Sequence, residues 1–249
     1  MALVPGQPRP EIWIYGNSGH GGDKEQYRDL APWSAPELAP ITVVVPTIPP
    51  RIHQLNRLLK SVEVQELMPE RVIIQVDHTG EGAPNTRNKA LQKVPASSEV
   101  VTFMDDDDYM GRRHVRLNYA AMLDAQADYV YPHWNMAGLT VDPFPKWWKH
   151  TPWSDARPHQ TTIVTFVRRE LAQAVGFRPV EPGKWPPATE EGHIFGEDYQ
   201  FTLECLAKGA KIHHVQESTW YWVVTGHSTS GRPTWLEPEE KPPERFWAS

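Results

Sequence analysis

The densest chemistry in this sequence is the run Asp105-Asp106-Asp107-Asp108. Four adjacent carboxylates repel one another and are costly to hold in one place without a cation. Hard oxygen donors suit Mg²⁺ or Mn²⁺, which are commonly held by one or two carboxylates together with substrate phosphates. An isolated acidic run is equally well read as a solvated turn, so its position has to decide. Asp77 closes a separate apolar run, where a carboxylate either accepts the N–H groups of a nucleobase or caps a turn. Arg87-Asn88 follows the turn at Pro84-Asn85 and is suited to phosphate or to the aspartates, or else opens a surface helix. Gly196-Glu197-Asp198 opens a helical pattern; acids there favour the helix dipole, or supply a general base. His227, in Gly226-His227-Ser228, is either a surface histidine or completes an oxygen/nitrogen metal shell.

The elements that must position these groups are legible from residue 41 onward. Ile41-Thr42-Val43-Val44-Val45, Val72-Ile73-Ile74-Gln75-Val76 and Val100-Val101-Thr102-Phe103-Met104 are short apolar runs of the kind buried on both faces of a parallel sheet. Leu55, Leu58, Leu59 and Val62 recur at helical spacing, and helices are predicted over residues 86–93 and 112–124. Tyr129-Val130-Tyr131 is a fourth strand. Strand–helix alternation of this length indicates βαβ units, and ligands bind beyond the carboxyl ends of such strands. The loops at 46–51, 77–85 and 105–108 all leave from those ends, which favours a cation site over a solvated turn. Further on, a strand is predicted over 161–167, a helix over 168–175 stopped by Gly176, a helix over 197–208 stopped by Gly209, and strands at 211–215 and 219–224. Residues 1–40 read as an irregular proline-rich arm with one short strand, Glu11-Ile12-Trp13-Ile14-Tyr15.

Composition excludes several classes. The 249 residues suit one large domain or two small ones, with 39% hydrophobic and 22% charged residues, so a sizeable core is available. A net charge of -6 argues against a nucleic-acid binder held by phosphate neutralisation. One cysteine, Cys205, excludes a disulfide framework and a Cys-rich zinc site. No apolar run reaches the roughly 20 residues of a membrane span, and no secretory signal is visible, so the expected location is cytoplasmic. The 25 prolines imply stiff loops, and the 11 tryptophans suit either a core or stacking surfaces.

Taken in order, the motifs resemble the family 2 type of GT-A nucleotide-sugar glycosyltransferases. The matching pieces are Val43-Val44-Val45-Pro46-Thr47 with Leu58-Leu59-Lys60-Ser61-Val62-Glu63-Val64-Gln65, Ile73-Ile74-Gln75-Val76-Asp77, Thr86-Arg87-Asn88-Lys89-Ala90, Phe103-Met104-Asp105-Asp106-Asp107-Asp108, Gly196-Glu197-Asp198-Tyr199 and His227-Ser228. They cover roughly residues 41–230. The resemblance implies an α/β fold: a single GT-A, Rossmann-like domain with a mainly parallel sheet. Its nucleotide-binding half would span about 41–135 and its acceptor half about 136–230, with a tail at 231–249. It implies a nucleotide-diphosphate sugar as donor, and a glycan, protein or small molecule as acceptor. Pro46, Thr47, Arg51 and Asp77 are expected in the nucleoside pocket, with Arg87, Asn88, Asp105 and Asp106 also on the nucleotide sugar. Asp107 and His227 are expected on a divalent metal, Mn²⁺ or Mg²⁺, and Asp198 as the base of an inverting transfer. Trp134, Glu197 and Trp222 are placed on the acceptor side.

The sequence departs from the family pattern after the second strand, where Asp77-His78-Thr79-Gly80 stands in place of two adjacent acids. The Q-x-x-R-W motif of processive synthases is absent, which favours transfer of a single sugar. Two rival readings are a retaining transferase of the same fold and a carbohydrate-binding protein without catalysis. A sugar-1-phosphate nucleotidyltransferase is disfavoured, because Pro46-Thr47-Ile48-Pro49-Pro50-Arg51 stands where that class carries a Gly-rich loop.

Overall fold

The computed structural model describes residues 10–16, 38–138, 151–158, 161–178 and 196–223. In chain order its strands are β1 (Glu11–Gly16), β2 (Leu38–Thr47), β3 (Met68–Val76), β4 (Val100–Phe103), β5 (Tyr109–Met110), β6 (Tyr129–Ala137), β7 (Phe166–Arg168) and β8 (Ile212–Val223). The helices are α1 (Leu55–Glu63), α2 (Ala83–Leu91), α3 (His114–Asp124), α4 (Arg169–Val175) and α5 (Glu197–Ala207), and a 3-10 turn, Pro49–Gln54, leads into α1. The strands form one sheet in the order β1-β3-β2-β4-β7-β6-β8-β5.

The three apolar runs become the central parallel strands. Val43, Val44, Val45, Ile73, Ile74, Val100, Val101 and Phe103 have no solvent exposure, as expected for strands covered on both faces. Burial of each such side chain contributes about 1.5–3 kcal/mol, which holds the sheet and its strand ends rigid. Register places Thr47 opposite Val76 and Val44 opposite Phe103, so the carboxyl ends of β2, β3 and β4 open on one edge. α1 buries Leu55, Leu58, Leu59 and Val62, the residues predicted from their spacing.

Several elements differ from expectation for local physical reasons. The short N-terminal strand joins the sheet, pairing in parallel with β3 along its full length. α2 begins at Ala83, three residues early, because a proline is tolerated in the first turn and Gly82 supplies the positive φ, 86°, that enters it. The segment predicted as a strand over 161–167 is laddered only at Phe166–Arg168, antiparallel to both β4 and β6. Ile163 and Val164 are nevertheless buried, so their apolar character reflects core packing without strand pairing. The two strands expected at 211–215 and 219–224 are one strand, β8, whose register against β6 shifts on either side of His133. The sheet is therefore parallel in its first half and mixed in its second, with β5 and β8 antiparallel at the far edge.

Candidate functional site

The aspartate run lies where the order of elements requires. The Met104 amide donates to the Val44 carbonyl at 3.1 Å, carrying the chain straight off the end of β4 beside β2. A turn closed by the Asp108 amide on the Asp105 carbonyl follows. Asp106 accepts from the Thr47 hydroxyl at 2.6 Å and pairs with Arg51 at 2.7 Å. Asp107 also pairs with Arg51, and its backbone carbonyl accepts from Arg57 at 2.7 Å. Asp108 accepts the Val223 amide at 2.9 Å, tying the turn to the end of β8. Asp105 pairs with Arg87 at 2.5 Å.

Three of the four residues are buried, with relative exposures of 3% for Asp106, 7% for Asp107 and 2% for Asp108, so the run is no solvated turn. Loss of solvent around like charges shifts all three towards the protonated form. Burial pushes the Asp106 carboxyl up to about 6, against the opposing Thr47 hydrogen bond and Arg51 charge. Burial and then Asp105 raise Asp107, with Arg51 opposing. Burial, followed by Asp105 and Asp107, raises Asp108 well above the ordinary carboxylate range. Asp105, Asp107 and Asp108 each offer an oxygen, all within 4.8 Å of one another. Three hard oxygen donors brought so close together suit a divalent cation.

Arg87 crosses from this cluster to the second half of the chain. It is 2% exposed, and its two terminal nitrogens pair with Asp105 and with Glu197. Its guanidinium lies over the Phe177 ring, 5.5 Å from the centroid. Phe177 stacks on Phe201 of α5 at 4.4 Å and meets Phe103 of β4 edge-on at 5.1 Å, so the floor beneath Arg87 is an aromatic trio from both halves. α5 opens at Gly196 with no side-chain cap, leaving Glu197 and Asp198 in its first turn, where the dipole favours anions. Asp198 is half-buried and accepts a hydrogen bond from the Ile163 backbone. Burial, then Glu197, raises its carboxyl above the usual range; Arg87 opposes this and Asp105 adds to it. Asp198 and the aspartate run thus share one electrostatic environment.

The structure brings Thr47, Arg51, Arg87, Asp105, Asp106, Asp107, Glu197 and Asp198 into this neighbourhood, and the other expected residues make contacts of their own. Pro46 is a buried residue of β2, opposite Gln75. Asp77 is committed to its own loop, accepting from the amides of Thr79, Gly80 and Gly82 at 2.8–3.0 Å. Burial alone would raise its carboxyl, but those backbone hydrogen bonds together lower it. Asn88 is turned onto Phe177: its amide nitrogen donates to the Phe177 carbonyl and its oxygen accepts the Phe177 amide, both at 2.7 Å. Glu197, expected on the acceptor side, pairs with Arg87. Trp134 is 5% exposed and packs with Trp220 and Trp222, because the β6–β8 register sets it opposite Trp220 in the core. Trp222 remains half-buried at the edge of that cluster. His227 lies outside the described residues.

Two contributors, Arg57 and Phe177, escaped sequence reasoning, and a third, Asp108, was flagged only as one of the run. Four adjacent aspartates leave the choice of metal ligand ambiguous by one position, and the structure sets Asp108 beside Asp105 and Asp107. Arg57 acts through its reach from α1 to the Asp107 carbonyl, for which one-dimensional spacing carries no signal. Phe177 had one cue, its place directly after the helix stop at Gly176, whose φ of 64° turns the chain there.

No protein-family model matches the chain, and no curated protein matches its sequence. Solved structures do match. The chain is similar to TarS from S. aureus, a GT-A-type glycosyltransferase, in its residue 1–349 form complexed with UDP-GlcNAc. Identity is 17% and the TM-score 0.60, over 76% of this chain and 59% of that one. The UDP complex of the same form gives a TM-score of 0.57 at 17% identity, covering 75% and 61%. A further TarS structure gives 0.57 at 16% identity, covering 75% of this chain and 37% of that one. The chain thus spans about six-tenths of the TarS 1–349 form and has the GT-A fold. Among the described residues no helix is long and apolar enough to cross a membrane.

Proposed function

We propose that this protein is a metal-dependent glycosyltransferase that moves one sugar from a nucleotide-diphosphate donor to an acceptor hydroxyl with inversion. The observation that carries this reading is the buried aspartate cluster at the carboxyl edge of a GT-A sheet, joined through Arg87 to a helix that opens with Glu197-Asp198. Similar structures bound to UDP-GlcNAc and UDP support a nucleotide sugar as the donor class.

Asp105, Asp107 and Asp108 would hold a Mn²⁺ or Mg²⁺ ion, which when bound supplies neutralisation of the charge that develops on the departing diphosphate. Thr47 and Arg51 lie at the end of β2 on the donor side. Arg51 is shared between Asp106 and Asp107, so an incoming diphosphate competes with those carboxylates for its guanidinium. Asp198 takes the proton of the acceptor hydroxyl. As that oxygen bonds to the anomeric carbon, the bond from that carbon to the diphosphate oxygen breaks and the nucleoside diphosphate leaves. Attack opposite the leaving group inverts the anomeric centre. A carboxyl raised by burial and like charges is a stronger base once ionised than a solvated one, which suits this role. His227 is proposed as a further contact to the metal or diphosphate, and Trp222 as an acceptor-side surface.

The test is a thermal-shift screen of nucleoside diphosphates and nucleotide sugars with and without Mn²⁺, followed by product analysis. A ligand that binds only the folded state raises the melting temperature by mass action. A Mn²⁺-dependent shift, an inverted product by NMR, and loss of turnover with retained binding in Asp198→Asn are expected. Retained turnover in that variant removes Asp198 as the base; a retained anomer removes inversion; no shift with any nucleotide leaves a carbohydrate-binding protein.

A further inference from the structure

Arg87 does more than its place beside the donor site requires. Its guanidinium spans two carboxylates 92 positions apart in the chain, Asp105 on the aspartate turn and Glu197 in the first turn of α5. It is buried, with an aromatic ring beneath it, and its Nε has no hydrogen-bond partner among the described residues. The adjacent Asn88 fixes that ring by holding both backbone polar groups of Phe177. Such a planar fork cannot be resolvated when one of its carboxylates is drawn away, so a change at one end must be answered at the other. Resting on the transferase reading above, we propose that Arg87 is a positioning residue that makes the first turn of α5, and with it Asp198, respond to what binds at Asp105.

The chain of consequences is short. A cation drawing on Asp105 weakens the Asp105–Arg87 pair. The guanidinium then rests more fully on Glu197, the residue immediately before Asp198. The first turn of α5, which lacks a side-chain cap, is thereby fastened when the donor side is filled. The base is ordered after the donor is in place. A lysine keeps the charge but not the fork and cannot hold both carboxylates.

Amide hydrogen exchange on the whole protein tests this, with UDP plus Mn²⁺ as the probe. In the wild type, exchange is expected to slow about fivefold both across residues 100–110 and across α5 on adding the probe, since ligands raise local opening free energies where they are felt. In Glu197→Gln and in Arg87→Lys, at probe concentrations that saturate each protein, the slowing at 100–110 remains while that at α5 vanishes. A general loss of stability would speed exchange with or without the probe, so the probe-dependent difference separates positioning from mere packing. Should Arg87→Lys not fold, Glu197→Gln carries the test, because Glu197 is half-buried at a helix end and the change is isosteric. Equal slowing of α5 in wild type and Glu197→Gln overturns the coupling. Slowing of 100–110 in the wild type with none at α5 also overturns it, while leaving the transferase reading intact. No slowing at 100–110 overturns both.

Discussion

Asp106→Asn exposes the electrostatic cost of the aspartate turn. In the folded protein the Asp106 carboxyl is raised from 3.8 to about 6. The folded state therefore binds more protons than the unfolded chain between those values, and stability falls as pH rises through that window. The stabilisation is fully present below about pH 4 and lost as the pH passes 6, and a displacement of this size corresponds to about 3 kcal/mol. Asparagine cannot ionise, yet its carbonyl can still accept from Thr47. Its neutrality also relieves Asp108, which feels the Asp106 charge in the same direction. In chelator-treated protein, the wild type should therefore lose about 3 kcal/mol relative to Asp106→Asn between pH 4 and pH 7.5. For a chain of this size that is roughly 6–12 °C in the difference between their melting temperatures. Denaturant melts at the two pH values provide the measurement. Parallel pH dependence in the two proteins would refute the argument, because it would mean that the carboxylate reaches solvent or a cation in the folded state.

Asn88→Ala removes both hydrogen bonds to the Phe177 backbone and should cost about 2–3 kcal/mol in chemical denaturation. UDP–Mn²⁺ binding should persist in that variant; loss of binding at unchanged stability would return Asn88 to the nucleotide. Asp77→Ala strips three amides of their acceptor and should destabilise by about 2–4 kcal/mol at pH 7. Because the folded carboxyl is lowered, the stability that it contributes is present above its ordinary range and lost on acidification. The gap between wild type and Asp77→Ala should accordingly narrow in melts on acidification below the ordinary carboxylate range; a gap independent of pH would contradict this. Gly111→Ala places a Cβ 2.6 Å from the Thr219 carbonyl oxygen, a backbone atom that cannot swing aside. It should part β5 from β8 at a cost of about 1–3 kcal/mol, and a melting temperature equal to the wild type would show that the strands can separate freely.

Much of the architecture was legible because its signals are local. Runs such as Val43-Val44-Val45 and Val72-Ile73-Ile74 can be hidden from water only inside a covered sheet, and their order with intervening helices dictates which loops share an edge. That was enough to set Thr47, Asp77 and the four aspartates at one edge, and to mark Glu197-Asp198 as a helix start. What lay beyond the sequence depended on pairing between distant segments. Whether Thr161–Val167 ladders or merely packs, and whether Trp134 faces an acceptor or the core, is decided by register against partners remote in the chain. The motif Thr86-Arg87-Asn88 shows the division most clearly. Its residue types announced a polar site, but only the fold decided that Arg87 turns to Asp105 and Glu197 while its neighbour Asn88 turns to the Phe177 backbone. Adjacent side chains on a helix diverge by about 100°, and which carboxylate or carbonyl meets each is a property of tertiary packing.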